Sequence, residues 1–182
     1  MNALDGLTSA SSYRSSEAAA SIALVVALIA ADTFRHNARY AEAARLYRRA
    51  AGLAAQVDAP QIEWRAWGAV GETCDALDDA SAAFDAYRKA MNVIDALWFA
   101  LLEEDKLRGF FQDKAHLYER AALNCLRLGY HALALECNEK AKTRYLGDLI
   151  ARRQKDPNTV PVSYTHLRAH ETVLDLVCRL LL

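Results

Sequence analysis

The sequence predicts an all-α chain built as an array of antiparallel helical hairpins, about six helices in three pairs. Three observations lead there. Gly and Pro number only 7 and 3 in 182 residues, while Ala, Leu, Arg and Glu are frequent, which is the composition of a chain that is helical nearly throughout. No segment alternates apolar and polar residues over a strand length between turn residues. Helical stretches are instead separated by short polar breaks that recur along the chain.

Residues 1–16 are rich in Ser and small residues without a period and are expected to be a disordered or frayed lead-in. The array is expected over residues 17–154. Its first helix runs from about Glu17 to Asn37 and its second from about Tyr40 to Val57, closed by Asp58-Ala59-Pro60. A third covers about Gln61 to Leu77, with Asp78 and Asp79 at the turn, and a fourth about Ala80 to Ala96. A fifth covers about Leu101 to Leu128, stopped by Gly129, and a sixth about Tyr130 to Gln154. Residues 155–161, with Asp156-Pro157-Asn158, read as a linker. The run Ala18 to Ala31 is shorter than the roughly 18 apolar residues of a membrane span and lacks a basic leader, so a buried amphipathic helix is expected.

The last residues, 162–182, read differently from the rest. VSYTHLRAHET and LVCRLLL resemble the in-frame translation of two constant blocks of a sequencing adapter, with Thr172 to Asp175 leaving room for an index. The natural chain is therefore expected to be read only to about Val160, as the N-terminal piece of a longer protein. The tail is set aside from fold and site reasoning.

Helices joined by tight turns invite a search for repeats. Trp67, Val70, Gly71 and Cys74 fall where the pattern W-x2-L-G-x2-Y places the residues of a first helix. Ala83, Tyr87 and Ala90 then match the A-x3-F-x2-A of a second. The same second-helix spacing returns at Ala43, Tyr47 and Ala50, preceded by Ala27, Ala30, Ala31 and Phe34. A third unit has Tyr118, Ala121, Ala122 and Cys125, then Ala134, Asn138 and Ala141. These units resemble tetratricopeptide repeats, which implies an α-solenoid. The step from Ala43 to Ala83 exceeds the common period of about 34 residues, marking an irregular variety. Small residues at Gly71, Ala83 and Ala90 allow backbones to approach, and Trp67, Tyr47 and Tyr87 fill the gaps. A terminal repeat without its neighbour is expected to leave an apolar end near Leu149 and Ile150.

Lys106 to Ile150 is more distinctive. Arg108, Phe110, Phe111, Lys114, Tyr118, Glu139, Lys140, Lys142, Arg144, Leu146, Asp148 and Leu149 fall in a pattern resembling the helices that precede the CHAT domain in bacterial tetratricopeptide proteins. That resemblance implies a caspase-like domain with a His and Cys dyad, beyond the linker and outside this chain. The fragment itself is expected to be no enzyme.

The residues agree with that expectation. There is no Gly-rich phosphate loop and no nucleophile elbow, and hence no catalytic or cofactor site. His166 and His170 have the spacing of a zinc pair but belong to the adapter-like tail, so no metal site is expected. Glu103, Glu104 and Asp105 read as a solvated acidic helix start. Cys74, Cys125 and Cys137 read as isolated buried thiols of a reducing, cytoplasmic compartment, and Cys178 lies in the tail. A net charge of -1 offers no basic field for nucleic acid or an anionic membrane. What the architecture offers is a groove. First helices line the concave face of such arrays, and the lining is expected to include Asp32, Arg35, Arg65, Glu72, Asp75, His116, Glu119 and Arg127. Their mixed charge suits a protein or peptide partner. The function expected is a partner- or substrate-binding scaffold of a CHAT-type protein; the alternatives are a stand-alone adaptor and the sensor array of a transcriptional regulator.

Overall fold

Ala38, Asp58, Asp78 and Gly129 all adopt the left-handed conformation, with φ of 55°, 50°, 61° and 73°, and each ends a helix in the same way. The next amide donates back five residues: Arg39 to Phe34 (2.9 Å), Ala59 to Ala54 (2.9 Å), Asp79 to Cys74 (3.0 Å) and Tyr130 to Cys125 (2.8 Å). This is the Schellman bond, which satisfies carbonyls that the helix end leaves open. The carbonyl of that same residue then accepts the first bond of the next helix, from Ala43, Glu63, Ala83 and Ala134. One helix thus stops and the next starts within three residues.

The computed structural model describes the backbone of residues 3–103 and 110–155 and the side chains of residues 17–101 and 110–147. Among them are six α-helices and no strand: α1 (Ala3–His36), α2 (Tyr40–Gln56), α3 (Pro60–Ala76), α4 (Ala80–Glu103), α5 (Ala115–Arg127) and α6 (His131–Lys155). The adapter-like tail, the His pair, Cys178 and most of the linker lie outside the described residues, as do the side chains of Leu149 and Ile150. The chain divides into two compact units, Met1–Val93 and Ile94–Leu182, with the boundary inside α4.

Three expected boundaries are corrected. Helix α1 begins at Ala3, not Glu17, because the lead-in holds no proline and Ser is only mildly unfavourable to a helix. Helix α4 continues past Ala96 to Glu103, carrying an apolar run, Ala96 to Leu102, that contains no breaker. The expected fifth helix is therefore shortened to Ala115–Arg127, and Glu103 ends a helix where an acidic start was expected.

In the first unit α1 packs on α2 and α2 on α3. Leu24 and Ala27 meet Ala50, Ala51, Ala54 and Ala66, with Leu28, Leu53, Ile62 and Trp67 packed around them. The small residues expected at the crossings are buried: Ala31, Ala43, Ala50, Ala83 and Ala90 are all fully enclosed. At Gly71 a Cβ would overlap the Tyr87 ring. Of the aromatic residues expected to fill gaps, Tyr47 and Tyr87 are buried, but Trp67 is only half-buried beneath Lys89 Nζ, 4.3 Å from its ring centroid. Trp64 takes the interior place, its Nε1–H donating to Gln61 at 3.2 Å.

Helix α1 departs from the buried helix expected. Leu24, Ala27 and Ala31 enter the core, yet Ile22, Val25, Val26 and Ile29 are 54–67% exposed. Glu17–His36 is also long and apolar enough to cross a membrane by length and composition, because residues beyond the counted run extend it.

In the second unit α5 packs on α6. Leu117, Tyr118, Ala121, Ala122 and Cys125 of α5 face Ala134, Cys137 and Ala141 of α6, all buried. Gly147 gives room to Trp98, whose Cη2 would lie 2.7 Å from a Cβ there. Cys125 and Cys137, expected to be isolated, are neighbours: the Cys137 thiol donates to Cys125, so that Cys125 releases its proton more readily and Cys137 less.

Two substitutions test this packing. Ala38→Gly removes the cost of a Cβ in the left-handed region, and is expected to raise unfolding stability by about 0.5–1 kcal/mol in urea titrations. Gly71→Val forces the Tyr87 ring aside and is expected to lower it by about 2–3 kcal/mol on the same assay.

Candidate functional site

The eight residues expected to line a groove fall into two groups. Asp32 and Arg35 stand on α1, and Arg65, Glu72 and Asp75 on α3. His116, Glu119 and Arg127 stand on α5 in the second unit; His116 and Arg127 are exposed and Glu119 half-buried.

Three of the first group meet. Arg35 reaches from α1 to α3, with Nη1 3.6 Å from Glu72 Oε2 and Nη2 3.6 Å from Asp32 Oδ1. In the register that aligns Ala31 with Gly71, Asp32 corresponds to Glu72 and Arg35 to Asp75. The same two positions are therefore polar in both hairpins, beside the small residues that pack. At 3.6 Å and 41% side-chain exposure, Arg35 is held by charge and not by short hydrogen bonds, a regime worth little to stability. Its guanidinium can exchange a carboxylate of this chain for one on a partner. Arg65 is exposed beside Trp64, 5.4 Å from the ring centroid, and Asp75 is committed within its own hairpin.

That commitment belongs to a device the sequence did not announce. The Tyr47 hydroxyl donates to Asp32 Oδ1, the Tyr87 hydroxyl to Asp75 Oδ2 at 2.7 Å, and the Tyr118 hydroxyl to Asp95 Oδ1 at 3.0 Å. Each ring is buried while its hydroxyl reaches a carboxylate that remains partly in water. Burial first, and the carboxylate second, push the Tyr47 phenol far above its usual range; for Tyr118 burial and the Asp95 charge do the same against the opposing Arg144. The three carboxylates stand at no common spacing, one residue beyond Ala31, four beyond Gly71 and five beyond Ala90, and nothing in linear spacing pairs each with its tyrosine.

In the second unit Asp95 is also the anchor of a cation cluster. Arg144 Nη2 lies 2.7 Å from Asp95 Oδ1, and Lys140 Nζ 3.7 Å from Oδ2 and 2.9 Å from Glu136. Arg144 is 7% exposed and its guanidinium lies 5.5 Å from the Trp98 and 5.9 Å from the Tyr118 ring centroids. Lys114 is equally enclosed, donating to Phe110 O at 2.7 Å and to Asp113 at 2.6 Å. These cations hold helices and loop together. No group of three or more His, Cys, Asp or Glu among the described residues is placed to hold a metal.

The tyrosines give a pH signature. An unfolded phenol ionises near 10, and the folded phenols of Tyr47 and Tyr118 ionise higher. Their contribution is intact below about pH 10 and falls by about 1.4 kcal/mol per pH unit per tyrosine above it. Urea unfolding at pH 9 to 11 is expected to show that loss, and Tyr47→Phe with Tyr118→Phe to flatten it.

No protein-family model and no curated protein matches the chain. Among solved structures it is similar to the TPR domain of Arabidopsis FLU, at 20% identity over 75% of this chain and 99% of that one, with a TM-score of 0.49.

Proposed function

We propose that this chain is a protein–protein interaction scaffold whose α1 and α3 present a charged row to a protein or peptide segment. The carrying observation is Arg35, which spans the two helices loosely between Asp32 and Glu72. A partner carboxylate beside Arg35, or a partner cation beside Asp32 and Glu72, is recognised by replacing one of these long contacts with a shorter one. Rigid helices on closely packed backbones supply the positioning, and no group movement or bond chemistry is required of the chain. Because acids and a base alternate in the row, a partner of matching alternation is favoured over a uniformly charged one.

The finer reading is that this scaffold is the substrate- or partner-holding arm of a CHAT-type protein. It rests on the resemblance of Lys106 to Ile150. Phe110, Phe111, Lys114, Tyr118 and Arg144, which carry part of that resemblance, are buried, as residues defining a structural module should be. The compartment proposed is the cytoplasm, where free buried thiols persist.

Peptides selected from a displayed library on the full chain test the charged row. Fluorescence polarisation is expected to give at least a tenfold weaker Kd with Arg35→Glu, or with Glu72→Lys, than with the unaltered chain. Selected peptides that bind both variants as tightly as the original sink the assignment. For the CHAT reading, genomic sequence past the codon for Val160 is expected to enter a domain carrying a His and a Cys, and a stop codon there refutes it.

A further inference from the structure

The exposed stripe of α1 is the feature that the charged row does not use. Ile22, Val25, Val26 and Ile29 are 67%, 54%, 60% and 63% exposed. At 100° per residue they lie together on one side of α1, opposite Leu24, Ala27 and Ala31, which enter the core. Register explains what kind of surface this is. Aligning Ala31 with Gly71 places Ile22 on Ile62, Val26 on Ala66 and Ile29 on Ala69. On α3 the Ile62 and Ala66 part of that face is occupied, Ala66 being 1% exposed and packing with Ile62 into the cluster formed by α1 and α2, while Arg65, the counterpart of Val25, is exposed. The α1 stripe is thus the face by which a first helix receives another helix, here left open.

The residues also say which helix. Ile22, Val25, Val26 and Ile29 read the same in both directions about a centre between Val25 and Val26. Under an antiparallel two-fold pairing, Ile22 meets Ile29, Val25 meets Val26, and Ala18 meets Thr33. A two-fold contact sets each residue of one copy opposite its symmetry mate in the other, and every level of this pairing brings apolar or small side chains together. From Ala18 to Ala31 there is no charged residue, so no like charges are brought together. The four side chains expose roughly 450 Å² in one copy, and two copies with their Ala and Thr flanks approach the roughly 1,000 Å² that a specific interface requires. A lipid surface fits less well. Interfacial helices flank the apolar face with Lys and Arg, and here the flanks are Ala18, Ala19, Ser21 and Thr33. Crossing a bilayer would strip Leu24, Ala27 and Ala31 from the core and the Arg35 charge from Glu72.

We infer that the Ile22–Val25–Val26–Ile29 stripe of α1 is a self-association surface, on which a second copy of this chain docks antiparallel about a two-fold axis between Val25 and Val26. An interface at the small end of the specific range is expected to be weak and transient, with a dissociation constant on the order of micromolar. Asp32, seven residues beyond Val25 and three beyond Ile29, borders this contact, while Arg35 lies further round α1 and Glu72 stands on α3, so each dimer keeps two Arg35–Glu72 pairs accessible.

Sedimentation velocity of the full chain from about 1 to about 200 μM is the test, with the expected midpoint in the micromolar range. Val26→Glu and Val26→Lys are each expected to shift the equilibrium to monomer by at least tenfold in Kd. Their circular dichroism and thermal midpoint should match the original, since Val26 lies outside the core. An equimolar mixture of the two is expected to recover the dimer, because with the axis between residues 25 and 26 the two copies of residue 26 are offset by only one residue's rise, about 1.5 Å, and their side chains reach each other. A chain that stays monomeric throughout, a dimer indifferent to either substitution, or a mixture as monomeric as its components overturns the inference. So does Val26-dependent co-sedimentation with vesicles of phosphatidylcholine and phosphatidylglycerol, which would give the stripe to lipid.

Discussion

The left-handed residue that closes α1, α2, α3 and α5 is the constraint on which the other contacts depend. With the Schellman bond made at Ala38, Asp58, Asp78 and Gly129, only three residues separate one helix from the next. So short a connection leaves consecutive helices no arrangement but antiparallel contact. Contact at that distance admits only small residues at the crossing, hence Ala31, Ala43, Ala50, Ala83, Ala90, Ala121 and Ala134, all fully enclosed, and Gly71 under the Tyr87 ring. Larger side chains are displaced to the margins, where Tyr47, Tyr87 and Tyr118 close the gaps. The turn sets the spacing, the spacing selects the small residues, and the small residues decide where the aromatics go.

A buried tyrosine brings a hydroxyl that must find a partner. Here the partner is a carboxylate with one side in water, at Asp32, Asp75 and Asp95, so the hydroxyl is satisfied without taking a full charge into the core. Only the second unit accepts a greater desolvation. Arg144, 7% exposed, depends on Asp95 for its one short contact, and its Nε and Nη1 have no hydrogen-bond partner. Removing Asp95 would leave a buried cation uncompensated, a far larger penalty than losing the exposed Arg35 contacts. Asp95 and Asp32 look alike in sequence and each accepts a tyrosine hydroxyl, yet Asp95 also balances a buried cation and Asp32 only a half-exposed one.

That difference marks the limit of what linear pattern conveys. The packing positions were legible, because small and aromatic residues at helical spacing have one physical use; Ala43, Tyr47, Ala50, Ala83, Tyr87 and Ala90 are all buried as read. Gly129 was legible as a stop because glycine enters the left-handed region freely. Ala38, Asp58 and Asp78 were not, since a Cβ in that region is tolerated only where the surrounding bonds compensate its cost. The Arg35–Glu72 meeting was legible only as membership of one face. The extent of α4 was missed because no glycine, proline or polar cluster marks where Ala96 should have ended it.

Helix α1 shows the same limit from the other side. An apolar run with residues on every face reports burial but not by what, and the expectation of a buried amphipathic helix followed from the length of the run and its lack of a basic leader, which say nothing of which face is covered. The register with α3 separates them. Where α3 has Ala66 and Ala69, small enough for the close crossing that a three-residue turn imposes, α1 has Val26 and Ile29. Val and Ile would hold a neighbouring helix toward the wide end of the roughly 8–10 Å range of helix separations. No tight turn therefore dictates the geometry of that face. A helix docking there is positioned by the Ile22, Val25, Val26 and Ile29 side chains themselves, and apolar burial, being non-directional, lets a second copy of the same stripe meet them as well as any other apolar face.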